Sequence, residues 1–154
     1  MANPDDIAAL AAAFRKARYQ VGALGDAGSF AVGAVATGLE TALPADGYAF
    51  ITAWDSDSER DSAMDNATAD GELSARLDQL NATRVRAHAE DAQGAHREAG
   101  WLVLDLPVAE LDRLARQFDQ DGTLAWTRGN AVRLRMYHPC PPDAAPALWT
   151  DWVE

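Results

Sequence analysis

The alternation of strand-like and helix-like hydrophobic patterns between residues 47 and 126 constrains the fold more than any other feature of the sequence. Short segments with alternating, β-branched or aromatic residues predict four strands, at 47–54, 83–88, 101–106 and 123–126. One helix is predicted after the first strand, and Pro107 begins another after the third. This strand–helix–strand–strand–helix–strand order is typical of a ferredoxin-like (βαββαβ) core. We therefore predict an α+β fold in which helices cover a single mixed sheet.

The two helices of this core each carry an apolar stripe with helical spacing. The stripe of the first helix contains Leu73, Leu77 and Leu80, and extends back through Ala69 to Asn66. The stripe of the second helix contains Val108, Leu111, Ala115 and Phe118. We expect both stripes to face the sheet, so that Asn66 points inward as a polar residue in an apolar series.

Additional elements flank the core within one domain. A helix is predicted at the N-terminus, because Asn3 can cap it, Pro4 suits its first position and its acids precede its bases. The strand-like segments YQVG and SFAVGAV and the short helix TGLETAL follow, and the strand AVRLRMY comes after the core, behind the turn TRGN. The single domain 1–154 then divides into a lead-in at 1–46, a core at 47–137 and a Pro-rich, Trp-containing tail at 138–154.

The net charge of −11 argues against polyanionic partners, so no nucleic-acid partner and no membrane partner is predicted. The arginines of the later strands are expected to pair with nearby acids; they are Arg84, Arg86, Arg128, Arg133 and Arg135. The aromatic stripe of Tyr48, Phe50 and Trp54 is assigned to core packing, because acids instead of bases follow it.

A cytoplasmic location is predicted from the cysteine content and the N-terminus. Cys140 is the only cysteine, which excludes an intramolecular disulfide and suits a reducing compartment. The N-terminal acids precede the bases, which is the reverse of a signal peptide. No run approaches the ~18 apolar residues of a membrane helix. The oligomeric state is left open.

No metal or cofactor site is predicted. The acids between residues 55 and 65 alternate as in a calcium loop, but the central glycine and the closing glutamate are missing. The three histidines and Cys140 lack zinc-ligand spacing, and no nucleophile elbow, P-loop or dinucleotide fingerprint is present. An acid–base pair between His96 and a neighbouring carboxylate stays an alternative, so whether the chain is an enzyme is left open.

The principal candidate site is the lip formed by the end of the strand GYAFITAW, the acidic loop after it and the start of the next helix. A helix N-terminus with adjacent polar side chains can receive a ligand, although the acids of the loop oppose an anion. The same residues also suit a corner in which Asn66 satisfies buried backbone groups. The candidate contributors are Thr52, Trp54, Asp55, Ser56, Asp65, Asn66 and Gln120.

Several features of the sequence occur together: the segments AFITAW, GWLVLDLP and FDQDGTLAW, and an acidic helix bearing Asn66. In these features the chain resembles an uncharacterised bacterial family, domain of unknown function 3293. The resemblance spans about residues 48–137 and rests on Ile51-Thr52-Ala53, Asn66 and Gln120. Asp55-Ser56 stands where the family usually has Asn-Pro. The resemblance implies the fold and the location of a site, and it implies no reaction.

Two functions from different classes follow. The first is a non-catalytic protein-binding module that uses its acidic surface or the tail with Trp149 and Trp152, and it requires an exposed apolar patch beside the acids. The alternative is a small-molecule or enzymatic site at the lip from Thr52 to Asn66, which requires a pocket with convergent polar groups. The sequence favours the first.

Overall fold

The computed structural model describes residues 4–53, 63–91, 93–94, 97–142 and 149–153, without the side chains of residues 4–5 and 63–65. Its α-helices are α1 (Pro4–Lys16), α2 (Thr37–Ala42), α3 (Ala63–Gln79) and α4 (Val108–Gln117). Its strands are β1 (Arg18–Gln20), β2 (Ser29–Phe30), β3 (Gly47–Ile51), β4 (Thr83–Glu90), β5 (Arg97–Leu104), β6 (Gly122–Thr127), β7 (Arg133–Met136) and β8 (Thr150–Trp152). A 3-10 helix, Gly22–Gly28, separates β1 from β2.

The described strands form one mixed sheet in the order β2-β1-β4-β5-β3-β6-β7-β8. Neighbouring strands are antiparallel except for β7 and β8, which are parallel. Isolated bridges from Val32 to Val132 and from Val35 to Ala131 join the segment after β2 to the residues before β7, so the sheet is curled. The predicted α+β class and the single mixed sheet are confirmed.

One face of the sheet encloses an aromatic core. The rings of Tyr48 and Trp126 stack with centroids 5.2 Å apart, and Phe50 packs edge-on against Tyr19 at 5.4 Å and Phe30 at 6.0 Å. All five side chains are buried. The assignment of Tyr48 and Phe50 to core packing is therefore confirmed, whereas Trp54 lies outside the described residues.

Helices α3 and α4 contribute to the core on the opposite face, with two corrections to the predicted stripes. Leu73, Leu77 and Leu111 are fully buried there. Leu80 is 39% exposed, because α3 ends at Gln79 and the chain leaves the helical path. Val108 is 46% exposed, because it begins α4 and lines an open groove instead of the core.

Several predicted boundaries were wrong. Strand β5 begins at Arg97 instead of residue 101, because β4 and β5 pair along their whole length, from Thr83 opposite Leu104 to Glu90 opposite Arg97. The predicted strand SFAVGAV is regular only at Ser29–Phe30. The tail contains a strand, β8, which the Pro-rich composition concealed. Among the described residues, no helix has the length and hydropathy needed to cross a bilayer.

Four of the five arginines that were expected to pair with acids do so, and Arg128 lies on the exposed turn after β6. Arg84 binds Asp78, Arg86 binds Asp70, Arg133 binds Asp151 and Arg135 binds Asp112. Because each guanidinium lies on the sheet beside its partner, the acids of α3, α4 and β8 neutralise it locally.

Gly100 allows β5 to approach β3, which predicts opposite effects for two glycine substitutions. A Cβ at Gly100 would lie 2.6 Å from the Ile51 carbonyl oxygen and 3.0 Å from the Phe50 ring. We expect Gly100→Ala to lower the free energy of unfolding by about 1–3 kcal/mol through overpacking. Gly71, exposed within α3, has open space at its Cβ, so Gly71→Ala should raise that energy by about 0.5–1 kcal/mol. Urea unfolding of both variants measures this, and equal effects would contradict it.

Candidate functional site

The strand register brings the predicted lip residues to one end of the sheet. Strand β3 pairs with both β5 and β6, with Ile51 opposite Trp101 and Phe50 opposite Leu124. Thr52 directly follows β3 and Gln120 closely precedes the antiparallel β6, so both lie at this end. Asn66, in the first turns of α3, is buried. Residues 54–56 and the side chain of Asp65 lie outside the described part of the chain.

Two of these lip residues make hydrogen bonds within the protein. The buried Thr52 hydroxyl donates to the Ala99 carbonyl oxygen at 2.8 Å, which connects the end of β3 to β5. The Gln120 side-chain amide donates to the Phe118 carbonyl oxygen at 3.2 Å, and its backbone N–H donates to that of Ala115 at 2.8 Å. Gln120 therefore closes the C-terminus of α4. Both arrangements match a hydrogen-bonded structural corner.

An ion pair between Asp70 and Arg86 is the feature of the lip that the sequence analysis missed. Asp70 follows Asn66 by one helical turn and is likewise buried. Its two carboxylate oxygens accept hydrogen bonds from the two terminal nitrogens of Arg86, one of them at 2.8 Å. The hydrogen bonds that Arg86 donates to Asp70 raise the pKa of its guanidinium group. The spacing of Asn66, Asp70 and Leu73 on one helical face was available in the sequence, but Asp70 was not among the predicted site residues.

Trp101 contacts two guanidinium groups on the sheet face beneath α3. The Arg86 guanidinium carbon is 3.8 Å from the centre of the indole and that of Arg84 is 4.9 Å away, both within cation–π range. The indole N–H and the Nε2 atom of His88 are buried and have no hydrogen-bond partner among the described residues, although Glu90 Oε1 lies 3.9 Å from that histidine nitrogen. His88 on β4 pairs with Ala99 on β5, and the carbonyl oxygen of Ala99 accepts the hydrogen bond from the Thr52 hydroxyl. Trp101 pairs with Ile51, the last residue of β3, so it lies next to the strand end that leads into the lip.

A second polar pair occurs at the same end of the sheet. His138 Nε2 lies 2.8 Å from Asp121 Oδ1, and both side chains are about a quarter exposed. The sequence suggests only a zinc-ligand role for His138, which its spacing from the other candidate ligands argues against. Within the described residues, no group of three His, Cys, Asp or Glu side chains is arranged to hold a metal ion.

A groove of about 680 Å³ lies at the opposite end of β3, and none of the described lip residues lines it. Its walls include Val35, Val108 and Trp149, which are 48%, 46% and 39% exposed. Its lining also includes the small side chains of Ala49 and Ala125. We call this feature the Trp149 groove. Its walls come from the lead-in, from α4 and from the tail, which are far apart in sequence.

Trp149 lies where the lead-in and the tail meet on the outer edge of β7. The Val132 N–H donates to the Ala34 carbonyl oxygen at 3.0 Å, and two residues later the Leu134 N–H donates to the Trp149 carbonyl oxygen at 2.7 Å. Trp149 has a φ of 67°, and a Cβ at Gly33, whose φ is 90°, would lie 2.8 Å from the indole. The indole therefore packs directly on the backbone of the lead-in.

The charged groups of the groove are bound to each other. Arg133 donates from Nε and Nη2 to the two oxygens of Asp151, at 2.9 and 2.8 Å, and this hydrogen bonding lowers the pKa of Asp151. Arg135 makes the same bidentate contact with Asp112, at 3.0 and 2.7 Å. The Arg133 guanidinium carbon is also 5.9 Å from the Trp149 ring centre. The groove is consequently apolar with neutralised charges on its floor.

The comparison with known families confirms the resemblance described above. Residues 51–122 match the family described as protein of unknown function (DUF3293), within the 48–137 stretch of the resemblance. No curated protein and no solved structure matches the chain significantly. The matched segment includes Thr52, Asn66 and Gln120, whereas Val35 and Trp149 of the groove lie outside it.

Substitution of Asn66 distinguishes a structural corner from a ligand site at the lip. If Asn66 serves the fold, Asn66→Ala should lower the free energy of unfolding by about 1–3 kcal/mol, because buried polar groups lose a partner. Thr68→Ala, at an exposed position of the same helix, should stay within about 0.5 kcal/mol of the wild type. Chemical denaturation of the three proteins is the measurement. An Asn66→Ala protein as stable as wild type would contradict the structural role.

The partly buried hydroxyl of Tyr137 is expected to make the folded protein less stable at alkaline pH. Its hydroxyl donates to Asp112 at 2.8 Å, and burial raises its pKa from 10.0 to about 12. Because the pKa of Tyr137 is higher in the folded state than in the unfolded state, its contribution to the free energy of unfolding is complete below pH 10. This contribution is lost as the pH rises towards 12. We expect wild type to lose at most about 2 kcal/mol more than Tyr137→Phe over this range. Parallel urea titrations at several pH values test this, and identical pH profiles would contradict it.

Proposed function

We propose that this chain, whose residues 51–122 belong to the DUF3293 family, is a non-catalytic protein-binding module that receives its partner in the Trp149 groove. One observation carries the proposal. Four large hydrophobic side chains are exposed among the described residues, and three of them, Val35, Val108 and Trp149, line this groove. Exposed apolar residues that are gathered in one place are typical of interaction surfaces, whereas scattered ones are ordinary.

The conformation of Trp149 supports this role. The other described non-glycine residues with positive φ are Asn81, Asp105 and Asp119, and these residue types tolerate that region of backbone space. A tryptophan there costs on the order of 1–3 kcal/mol and is retained only where its surroundings impose it. Tryptophan is also enriched among the residues that dominate binding energy at protein interfaces.

The polar groups of the groove favour a protein partner over a small ligand. A small-molecule site usually presents a few polar groups that are free to orient the ligand. Arg133 and Arg135 instead give their hydrogen bonds to Asp151 and Asp112. An apolar surface whose charged groups are satisfied beforehand resembles the centre of a protein interface.

The finer fold assignment is also a proposal. We propose that residues 47–127 form a ferredoxin-like core to which the lead-in and the tail add strands. The sheet order β4-β5-β3-β6, read by position in this segment as 2-3-1-4, and the antiparallel pairing support it. A cytoplasmic location and the lack of nucleic-acid partners remain predictions, supported by the single cysteine and the net charge of −11.

A small-molecule site at the lip, with or without catalysis, is the second proposal. The observation in its favour is that two buried ring nitrogens, His88 Nε2 and Trp101 Nε1, have no hydrogen-bond partner in the part of the chain that the structure describes. Buried polar atoms of this kind call for an explanation, and a bound ligand would supply one. Native mass spectrometry distinguishes the proposals, because a small-molecule adduct that is lost in Asn66→Ala belongs to the lip.

Trp149→Ala tests the groove, with Leu80→Ala as a matched control. Leu80 is also 39% exposed but lies outside the groove. We expect the wild type to recover a partner protein stoichiometrically from a lysate of the native host. This partner should be lost with Trp149→Ala, because the anchor of the interface is removed. It should be kept with Leu80→Ala. Affinity purification with quantitative mass spectrometry measures this, and urea unfolding confirms that both variants fold. A partner retained equally by all three proteins would contradict the proposal.

A further inference from the structure

We infer that the occupant of the Trp149 groove is a basic segment of another protein that inserts an apolar side chain between lysines or arginines. This inference rests on the proposed function, because it names the partner for the same groove. The apolar walls of the groove favour an apolar side chain at the inserted position. The charges around the groove favour lysine or arginine on either side of that position.

The rim of the groove carries carboxylates. Asp46 and Asp105 are exposed and adjoin Gly47 and Leu106, which line the groove. The Asp105 carboxylate accepts the N–H groups of Asp46 and Gly47 at 2.9 and 3.0 Å, so its position is fixed beside the opening. Arg128, on the β6–β7 turn, is an exposed cation near the same opening. Among the described residues beside the opening, the two exposed acids outnumber this arginine, so the rim favours a cationic partner.

An acidic partner would find the groove's guanidinium groups occupied. Both Nε and Nη2 of Arg133 already bind Asp151, and the same atoms of Arg135 bind Asp112. An incoming carboxylate would compete with these aspartates for guanidinium groups whose charge is already neutralised. It would also approach a protein with 24 acidic residues against 13 basic ones. Repulsion at long range and the occupied sites at short range both disfavour an acidic segment.

A second copy of the chain is disfavoured by the same charge. Two molecules that each carry a net charge of −11 repel one another at low ionic strength. A basic segment is instead attracted, and its association should be fast and sensitive to salt. The net charge and the rim therefore agree on one partner chemistry.

Selection from a library of displayed random 12-residue peptides tests the inference. Peptides are selected on the wild type and counter-selected on Trp149→Ala. We expect the groove-dependent peptides to contain an apolar residue flanked by Lys or Arg. Their affinity, measured by fluorescence anisotropy, should fall at least about tenfold between 50 and 500 mM salt, since screening weakens the attraction.

A rim variant isolates the charge effect from folding. Asp46→Asn combined with Asp105→Asn removes two negative charges, while asparagine at 105 keeps an oxygen acceptor and tolerates the φ of 56° found there. We expect this variant to unfold at the wild-type urea concentration and to bind the selected basic peptides about threefold to tenfold more weakly.

The outcomes separate this inference from the proposed function. Groove-dependent peptides that are neutral or acidic, or basic peptides whose binding ignores both salt and the rim variant, would overturn the basic partner and leave the protein-binding module. A dimer in sedimentation that is lost in Trp149→Ala would overturn it in favour of self-association. A selection without any Trp149-dependent peptide would contradict both.

Discussion

The burial of β3 on both faces of the sheet is the constraint on which the rest of the structure depends. This strand pairs with β5 and β6, and every residue from Tyr48 to Ile51 is buried. The aromatic core covers one face of the strand, and helices α3 and α4 cover the other. Close pairing with β5 is possible only because Gly100 leaves room for the Ile51 carbonyl group. Polar residues are therefore admitted only where β3 ends.

The two ends of β3 consequently have different chemistry. Beyond its C-terminal end, the Thr52 hydroxyl and the Asp70–Arg86 pair are bound to protein groups, which stabilises a corner. At its N-terminal end, the groove exposes apolar side chains, and its arginines are neutralised by Asp112 and Asp151. The first arrangement satisfies the polar groups internally. The second leaves apolar surface in contact with water, which is the reason to place a partner there.

Part of the candidate site was predictable from residue spacing. The burial of Asn66 followed from the leucine stripe of α3, and Thr52 followed from the end of a strand that is apolar on both faces. Asp70 was missed because a carboxylate is buried only when a partner neutralises it, and its partner Arg86 is 16 residues away on β4. Trp149 was recognised as a candidate contact, but its packing on Gly33 connects residues more than a hundred positions apart.

The sequence by itself determined the α+β class and the order of the core helices and strands, because hydrophobic periodicity acts over short distances along the chain. Only the tertiary structure decided that the sheet curls, that the tail adds β8 beside β7, and that Val35, Val108 and Trp149 share one groove. These features arise from backbone hydrogen bonds between distant segments. Such bonds use the same N–H and C=O groups at nearly every residue, so they leave no distinctive pattern of side chains in the sequence.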